Sequence, residues 1–362
     1  MSSLRTWRML LALFAALTLF AAACGDSDDD DGGDEETTET TAAAEDGGGD
    51  DGGDDDGGDA AAGGDGAFRV AFVSPSAVND LAFSQSIFDA MTTLQESYGG
   101  ESAFEFAFSD GLFVVEDAAA ALRGYAEDGY DLVIAHGSQY GGSLQEIAPD
   151  FPETAFAWGP ALDTFDLPNV SSYNSAADEG GFVMGVMAAQ MTDNIGVVGP
   201  VEAGEPTDFI NAFERGVGTD ADVAITYTGS FSDVALASEA ANSFISNGAE
   251  VLTGTSQAMV GAIGAAAEAG VFWFATQTNQ NSLAPDYVVA NQVYKWEVVL
   301  EPIIDGIQGG TLGGFIEEID LSNGGIVMEF NDAAVVDDPE GLRTLMDETV
   351  AGIVAGEIDT EG

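Results

Sequence analysis

Short apolar runs alternate with helical patterns along most of the chain. The runs are rich in β-forming residues, and most end in Gly, Ser, Thr or Asp: FRVAFVS, FEFAFSD, DLVIAHG, TAFAWG, IGVVG, VAITYTG, VLTGT, FWFAT and YVVANQVY. Their apolarity is continuous rather than alternating, which indicates strands buried on both faces and therefore a parallel sheet covered by helices. The predicted fold class is α/β with right-handed crossovers.

This strand and helix pattern occurs twice. A first set covers residues 68–174, and a second set begins at Ile195. Between them, DEGGFVMGVMAAQMT predicts a helix with Asp178 as its N-cap and with small residues that permit close packing. Because ligands of such sheets bind outside the carboxyl ends of the strands, the repeated pattern predicts a two-lobed binding protein.

The last part of the chain predicts a different arrangement. GGFIEEIDLSNGGIVMEFND has the pattern of a return hairpin, and a final helix is expected over residues 338–355. Before the hairpin, apolar side chains recur at helical spacing, so that helix is expected to bury one face; they are Trp296, Val299, Leu300, Ile303, Ile304 and Ile307.

The first 24 residues have the features of an export signal. Arg5 and Arg8 precede the apolar run MLLALFAALTLFAAA, which is too short and wrongly flanked for a membrane-spanning helix. The run ends in small residues just before Cys24, the single cysteine, and AAAC followed by glycine resembles a bacterial lipobox. We expect lipidation of Cys24, which would tether the protein to the outer face of the cell membrane; the alternative is a cleaved signal with an incidental cysteine.

Charge divides the remaining chain into a tether and a folded part. Residues 25–66 hold 18 of the 64 acidic residues and no aromatic residue, so they predict an extended, disordered tether. From Ala67 onward 46 acidic residues face five basic ones, which argues against a nucleic-acid partner. Adaptation to a salty environment explains such acidity without a specific cationic partner, because salt screens the self-repulsion.

The folded part resembles a known family. FVSPSAVNDLAFSQSIFDAM resembles the N-terminal signature of the basic membrane protein (BMP) family of ABC-transporter substrate-binding lipoproteins. Further segments follow that family in order, among them PNVSSYNSAADEGGFVMGVMAAQMT, IGVVGPVEAGEPTDFINAFERGV and AGVFWFATQTNQNSLAPDYVVANQVYKW. The similarity spans essentially residues 68–330.

The resemblance implies the type I periplasmic-binding-protein fold, in which two Rossmann-like lobes close on a ligand. It implies an N-terminal lobe of residues 67–176 plus about 308–362, and a C-terminal lobe of residues 177–307. It also implies a small-molecule ligand, a purine nucleoside being favoured, and an ABC permease as the partner. No cofactor is implied.

The resemblance also implies ligand contacts at particular residues. Asn79 and Asp80 would supply polar contacts to the base, while Phe83 and Phe231 would stack on it from opposite lobes. Gln277 stands where many relatives carry an acid for ribose hydroxyls, which leaves a different polyol, a modified base or an amide-bearing ligand open. Lys295, the single lysine, falls where nucleoside-binding members place a ligand-contacting lysine.

Several of these residues have a structural alternative. Asn79 and Asp80 precede a helix and could cap it, and Phe83 shares an apolar stripe with the core of that helix. His136, the single histidine, ends a strand; it is a poor metal ligand without neighbouring ligands, and we expect a neutral hydrogen-bonding role in the cleft.

Trp158 ends the next strand and either walls the cleft or fills the lobe. Lys295 could instead pair with a carboxylate across a hinge.

No catalytic constellation is evident in the sequence. A second histidine for a triad and a GxxxxGK phosphate loop are both missing, and carboxylate pairs discriminate nothing in so acidic a chain. The sequence therefore favours a tethered solute-binding protein over an enzyme. A ligand sensor of the same fold that docks to a membrane receptor, and an extracellular nucleoside hydrolase, remain alternatives.

Overall fold

The computed structural model describes residues 66–361. The predictions for the signal segment, for Cys24 and for residues 25–65 of the tether lie outside this range. Within it, no helix combines the length and the apolarity needed to cross a bilayer.

The first sheet is parallel throughout, with strand order β11-β5-β4-β3-β1-β2. Its central strands β3 and β4 are buried along their whole length, as continuous apolar runs predict. The strands are β1 (Phe68–Val73), β2 (Phe104–Ser109), β3 (Leu132–His136), β4 (Ala155–Gly159), β5 (Val170–Ser175) and β11 (Ile316–Ile319).

The second sheet has the order β12-β10-β9-β8-β6-β7, and only β12 runs antiparallel to its neighbour. Its strands are β6 (Asn194–Gly199), β7 (Asp222–Tyr227), β8 (Val251–Gly254), β9 (Phe272–Gln277), β10 (Val288–Tyr294) and β12 (Ile326–Phe330). The two sheets confirm the predicted α/β class.

Helices connect the strands and cover the sheets. They are α1 (Phe83–Ser97), α2 (Val115–Glu127), α3 (Gly141–Ile147), α4 (Ala177–Met191), α5 (Glu205–Val217), α6 (Val234–Ser246), α7 (Met259–Ala269), α8 (Glu297–Gln308) and α9 (Pro339–Val354). The last helix lies close to its predicted position, and the Asp338 side chain accepts a hydrogen bond from the Gly341 amide as its N-cap.

The described chain passes between the lobes at three places, which corrects the predicted lobe boundaries. It passes after β5, after β10 and between β11 and β12. Helix α8 packs on α1 and the first sheet, and Trp296, which directly precedes α8, donates a hydrogen bond from Nε1 to Ser86 Oγ in α1. Strand β12 joins the second sheet and α9 packs on α4, so only β11 of the segment after residue 308 belongs to the first sheet.

The predicted return hairpin is wrong for the same reason. β11 pairs in parallel with β5, whereas β12 pairs with β10 in the other sheet. The sequence analysis also missed the strand β5 (VSSYNS). Its serines interrupt the apolar run by which a buried strand is identified, although β5 is almost entirely buried.

Small residues in α4 permit very close packing against α5, as predicted. A Cβ atom on Gly185 would collide with the carbonyl oxygen of Phe213, and one on Gly181 would lie 2.5 Å from that of Phe209. Asp178 is not the N-cap: α4 begins at Ala177, and the Asp178 carboxylate accepts a hydrogen bond from the Thr360 hydroxyl instead.

Candidate functional site

A cavity of about 640 Å³ lies between the two lobes. Its walls come from the segments at the carboxyl ends of strands β1 to β9, which is where parallel sheets bind ligands. The lining residues are Pro75, Phe83, Phe113, Val115, Gly137, Ser138, Gln139, Pro160, Leu162, Asn174, Ala203, Gly204, Glu205, Pro206, Asp208, Phe231, Thr255, Ser256, Gln257 and Gln277.

Three phenylalanines line this cavity, Phe83 and Phe113 from the first lobe and Phe231 from the second. Phe83 is the first residue of α1, and Phe231 lies in the loop between β7 and α6. The Ala258 amide donates a hydrogen bond of 3.0 Å to the Phe231 carbonyl oxygen, which fixes the backbone of this loop. Phe83 and Phe231 thus line the same cavity, and their stacking on a ligand stays a prediction.

His136 supports Phe83 from behind. The two rings stack with centroids 3.9 Å apart, and His136 is not among the lining residues. Its Nε2 faces the Phe83 carbonyl oxygen at 3.2 Å, so Nε2 is the donor, and Nδ1 accepts from the Tyr173 hydroxyl at 2.8 Å. Burial lowers the pKa of His136 to about 3, so the ring is neutral, although it lies beneath the cleft wall rather than in the cleft.

Gln277 ends β9 and reaches the cavity in an unusual conformation. Its φ of 75° lies in the left-handed region, which a non-glycine residue adopts at a cost. The side-chain Nε2 lies 3.4 Å from the Thr255 hydroxyl, and Oε1 is buried without a hydrogen-bond partner among the described residues. An unsatisfied acceptor is thus available at the cavity wall.

Asn79 and Asp80 are not among the lining residues. Asp80 accepts hydrogen bonds from the amides of Ala82, Ser84 and Gln85, so it caps the start of α1. Asn79 beside it is exposed. For Asp80 the structure favours the capping alternative.

Trp158 packs inside the first lobe. Its ring stacks on Phe165 with centroids 5.0 Å apart, and its Nε1 donates to the Asp163 carbonyl oxygen. Trp158 is buried and does not line the cavity.

Lys295 directly follows β10, an inner strand of the second sheet. Its backbone amide donates to the Gly325 carbonyl oxygen at 2.7 Å, and its side chain is partly buried. Burial raises the pKa of Asp89 in α1, and the charge of Lys295 lowers it, which places the ammonium near α1. Among the described residues Lys295 has no carboxylate within 4 Å and is not a lining residue.

Sequence reasoning missed several polar residues of the cavity wall. Gln139 follows β3, Gln257 follows β8, and Glu205 and Asp208 follow β6. Their position directly after the carboxyl ends of parallel strands was the signal that could have identified them.

Glu205 has the most perturbed environment of these residues. Its carboxylate accepts a hydrogen bond of 2.5 Å from the hydroxyl of Tyr294, the last residue of β10. Burial raises the pKa of Glu205 to about 7, because desolvation disfavours the charged form more than this hydrogen bond favours it.

A hydrogen bond also joins the lobes at the start of α1. Gln280, which follows β9, donates from Nε2 to the carbonyl oxygen of Leu81 at 2.7 Å. Within residues 66–361 no cluster of three or more His, Cys, Asp or Glu side chains is arranged to hold a metal ion.

A second cavity of about 690 Å³ lies away from the cleft. It is formed by α4, β9 and the start of α9, with Met191, Phe272 and Leu342 among its walls. Because its lining comes from one lobe and includes none of the predicted ligand residues, the cavity between the lobes is the candidate site.

Known proteins share this architecture. The family model described as ABC transporter substrate-binding protein PnrA-like matches residues 67–352. A purine-binding protein of Brucella abortus is 25% identical over 296 residues, covering 80% of this chain and 82% of that protein. The nucleoside-binding protein BmpA of Lactococcus lactis is 25% identical over 289 residues, covering 71% of this chain and 80% of that protein.

A solved solute-binding protein of an ABC transporter from Conexibacter woesei has the same fold. It superposes with a TM-score of 0.66 at 24% identity, covering 81% of this chain and 98% of that one. The fold is therefore that of periplasmic binding proteins, whose ABC-transporter members work outside the cytoplasm. Together with the family match over most of the chain, these observations place the protein in the BMP family of PnrA-like ABC transporter substrate-binding proteins.

Proposed function

We propose that the protein captures a purine nucleoside in the cavity between its lobes and delivers it to an ABC permease. The observation that carries this proposal is the pair of aromatic rings, Phe83 and Phe231, which enter one cavity from opposite lobes. Planar bases bind well between such rings, because stacking adds to the burial of apolar surface. The names of the relatives from Brucella abortus and Lactococcus lactis support the same ligand class.

The cavity offers each part of a nucleoside a matching surface. Phe83 and Phe231 would sandwich the base, and the Gln277 amide would accept a hydrogen bond from the ligand. Closure of the lobes would then be favoured by a ligand that contacts both walls, because it binds the closed form better than the open one. The permease would distinguish the closed form.

The proposal is tested with the protein purified gently in mild detergent. Small molecules released on denaturation are identified by mass spectrometry, and melting is followed in the presence of purine nucleosides at low and high salt. A ligand that binds only the folded state raises the melting temperature. Unchanged melting with every purine nucleoside in both salts would refute the nucleoside assignment.

Phe231→Ala provides the matching variant. We expect a loss of nucleoside affinity of roughly 5- to 150-fold, because stacking on one aromatic ring contributes roughly 1–3 kcal/mol per base. Phe330→Ala is the control, since Phe330 is a half-buried ring of the second lobe that does not line the cavity.

We further propose that Cys24 carries a lipid anchor. The lipobox-like sequence before it supports this assignment. Cys24→Ala should move the protein from the detergent phase to the aqueous phase on partitioning. A wild-type protein that already partitions into the aqueous phase would refute the anchor.

A further inference from the structure

The cavity between the lobes has a one-sided charge distribution. Its second-lobe wall carries two carboxylates, Glu205 and Asp208, one helical turn apart at the start of α5. No lysine, arginine or histidine is among the lining residues. An anionic ligand would therefore meet repulsion, whereas a neutral or cationic ligand would not.

Gln277 independently indicates that this wall has unused capacity to accept hydrogen bonds. The residue is only 5% exposed, it lines the cavity, and its Oε1 has no partner within the described chain. A buried acceptor without a donor is costly in the empty protein, and a ligand group that donates to it removes that cost.

Glu205 can serve a ligand and the hinge at once. Tyr294 occupies one carboxylate oxygen, and a carboxylate has further acceptor positions for a second donor. Tyr294 directly precedes the passage of the chain into the first lobe. The ionisable neighbours of Glu205 are Tyr294 and Asp208, with Ser175 also alongside, so its charge has no cationic partner among them.

We propose that Glu205, together with Asp208 and Gln277, forms an acceptor wall that determines ligand specificity. This wall accepts adjacent hydroxyl or N–H donors from an uncharged or cationic ligand and rejects phosphorylated forms. The inference rests on the proposed function for the base-binding half of the cavity and narrows the chemistry of the other half.

The test compares adenosine with adenosine 5′-monophosphate by calorimetry on the full chain. We expect wild type to bind adenosine at least 100-fold more tightly than the monophosphate. Glu205→Gln keeps the size of the side chain and an acceptor for Tyr294 but removes the charge, so adenosine affinity should fall about tenfold and the discrimination should shrink. Glu202→Gln is the matched control, because Glu202 is exposed on the same loop and does not line the cavity.

Asp208→Asn serves if Glu205→Gln does not fold, with a loss in the same direction expected. Adenosine binding that changes less than twofold in both variants would overturn the inference and leave the proposed function standing. If no purine nucleoside binds wild type, the proposed function fails by itself. The inference is then decided by the small molecule released on denaturation: a neutral or cationic donor-rich compound supports it, and an anion refutes it.

Discussion

At the scale of single residues, residue type alone did not determine which of the predicted ligand residues line the cavity. Phe231 and Gln277 were predicted at the ligand and line the cavity, whereas Trp158, equally aromatic, packs inside a lobe. Asp80 had the right chemistry, but its carboxylate is occupied by the amides that begin α1. Free hydrogen-bonding capacity therefore separates Gln277 from Asp80, and only the tertiary contacts display it.

The variant Lys295→Ala tests the prediction that the single lysine contacts the ligand. Because no carboxylate of the described chain lies within 4 Å of its ammonium group, Lys295→Ala should change the free energy of unfolding of the empty protein by less than about 1 kcal/mol. Ligand affinity should fall about tenfold if Lys295 contacts the ligand on closure. Calorimetry and urea unfolding measure the two effects.

Arg343→Ala is the control for loss of a cation, since Arg343 pairs with Asp332 away from the cavity. A marked loss of stability with unchanged affinity would favour the ion-pair alternative for Lys295.

The raised pKa of Glu205 predicts a pH-dependent stability difference. With a folded pKa of about 7 against an ordinary value near 4.5, the folded state holds a proton that the unfolded state has lost between these pH values. Ionised Glu205 thus destabilises the empty protein at pH 8, and this cost disappears as pH falls from about 7 to about 4.5.

Glu205→Gln isolates this effect, because other groups titrate in both proteins. The variant should be more stable than wild type at pH 8, by roughly 1–3 kcal/mol, and the difference should vanish near pH 5. Urea unfolding of both proteins across this range measures it. A difference that does not vary with pH would contradict the assignment.

At the scale of elements, the sequence pattern predicted the described strands and helices where their buried side chains are apolar. The exceptions are informative: β5 is buried but rich in serine, and β11 and β12 are neighbours in sequence that join different sheets. The glycines of α4 allow α4 and α5 to pack closely. Backbone atoms of α5 occupy the space that a Cβ atom on Gly181 or Gly185 would need.

Gly185→Ala should destabilise the second lobe. The added Cβ would meet the Phe213 carbonyl oxygen and, at 3.0 Å, the Val217 nitrogen, which are backbone atoms that cannot rotate away. We expect a loss of roughly 2–4 kcal/mol in the free energy of unfolding.

Gly264→Ala is the matched control in α7, where an added Cβ would have no atom within 4 Å. Alanine there should be neutral or stabilise the helix by up to about 1 kcal/mol. Equal destabilisation in both variants would rule out the packing explanation.

At the scale of the whole molecule, three passages of the described chain connect the two lobes, which enclose the cavity. The hydrogen bond from Gln280 to the Leu81 carbonyl oxygen also connects them. Gln280→Ala should weaken ligand binding by roughly fivefold, because it removes a hydrogen bond that holds the two walls of the cavity together in this structure. Asn279→Ala is the control, since Asn279 bonds to Glu329 within the second lobe. Similar affinities for the two variants would show that this bond does not contribute to closure.

The net charge of −57 predicts that salt stabilises the protein. The screening length falls from about 10 Å at 0.1 M salt to about 3 Å at 1 M, so repulsion among the many surface carboxylates weakens. We expect the melting temperature to rise by roughly 5 °C or more over this range. Sucrose at equal osmolality is the control, and an equal rise with sucrose would contradict an electrostatic origin.

The sequence by itself determined the α/β class, the repetition of the strand pattern and the acidity, because the residue types along the chain directly determine its hydrophobic pattern and its charge. It also indicated, through its resemblance to a family, where Phe83, Phe231 and Gln277 would lie. Only the tertiary structure decided which sheet receives β12, that Trp158 and Asp80 are occupied elsewhere, and that Glu205 and Tyr294 meet. These outcomes depend on contacts between residues distant in the chain, which local pattern does not specify.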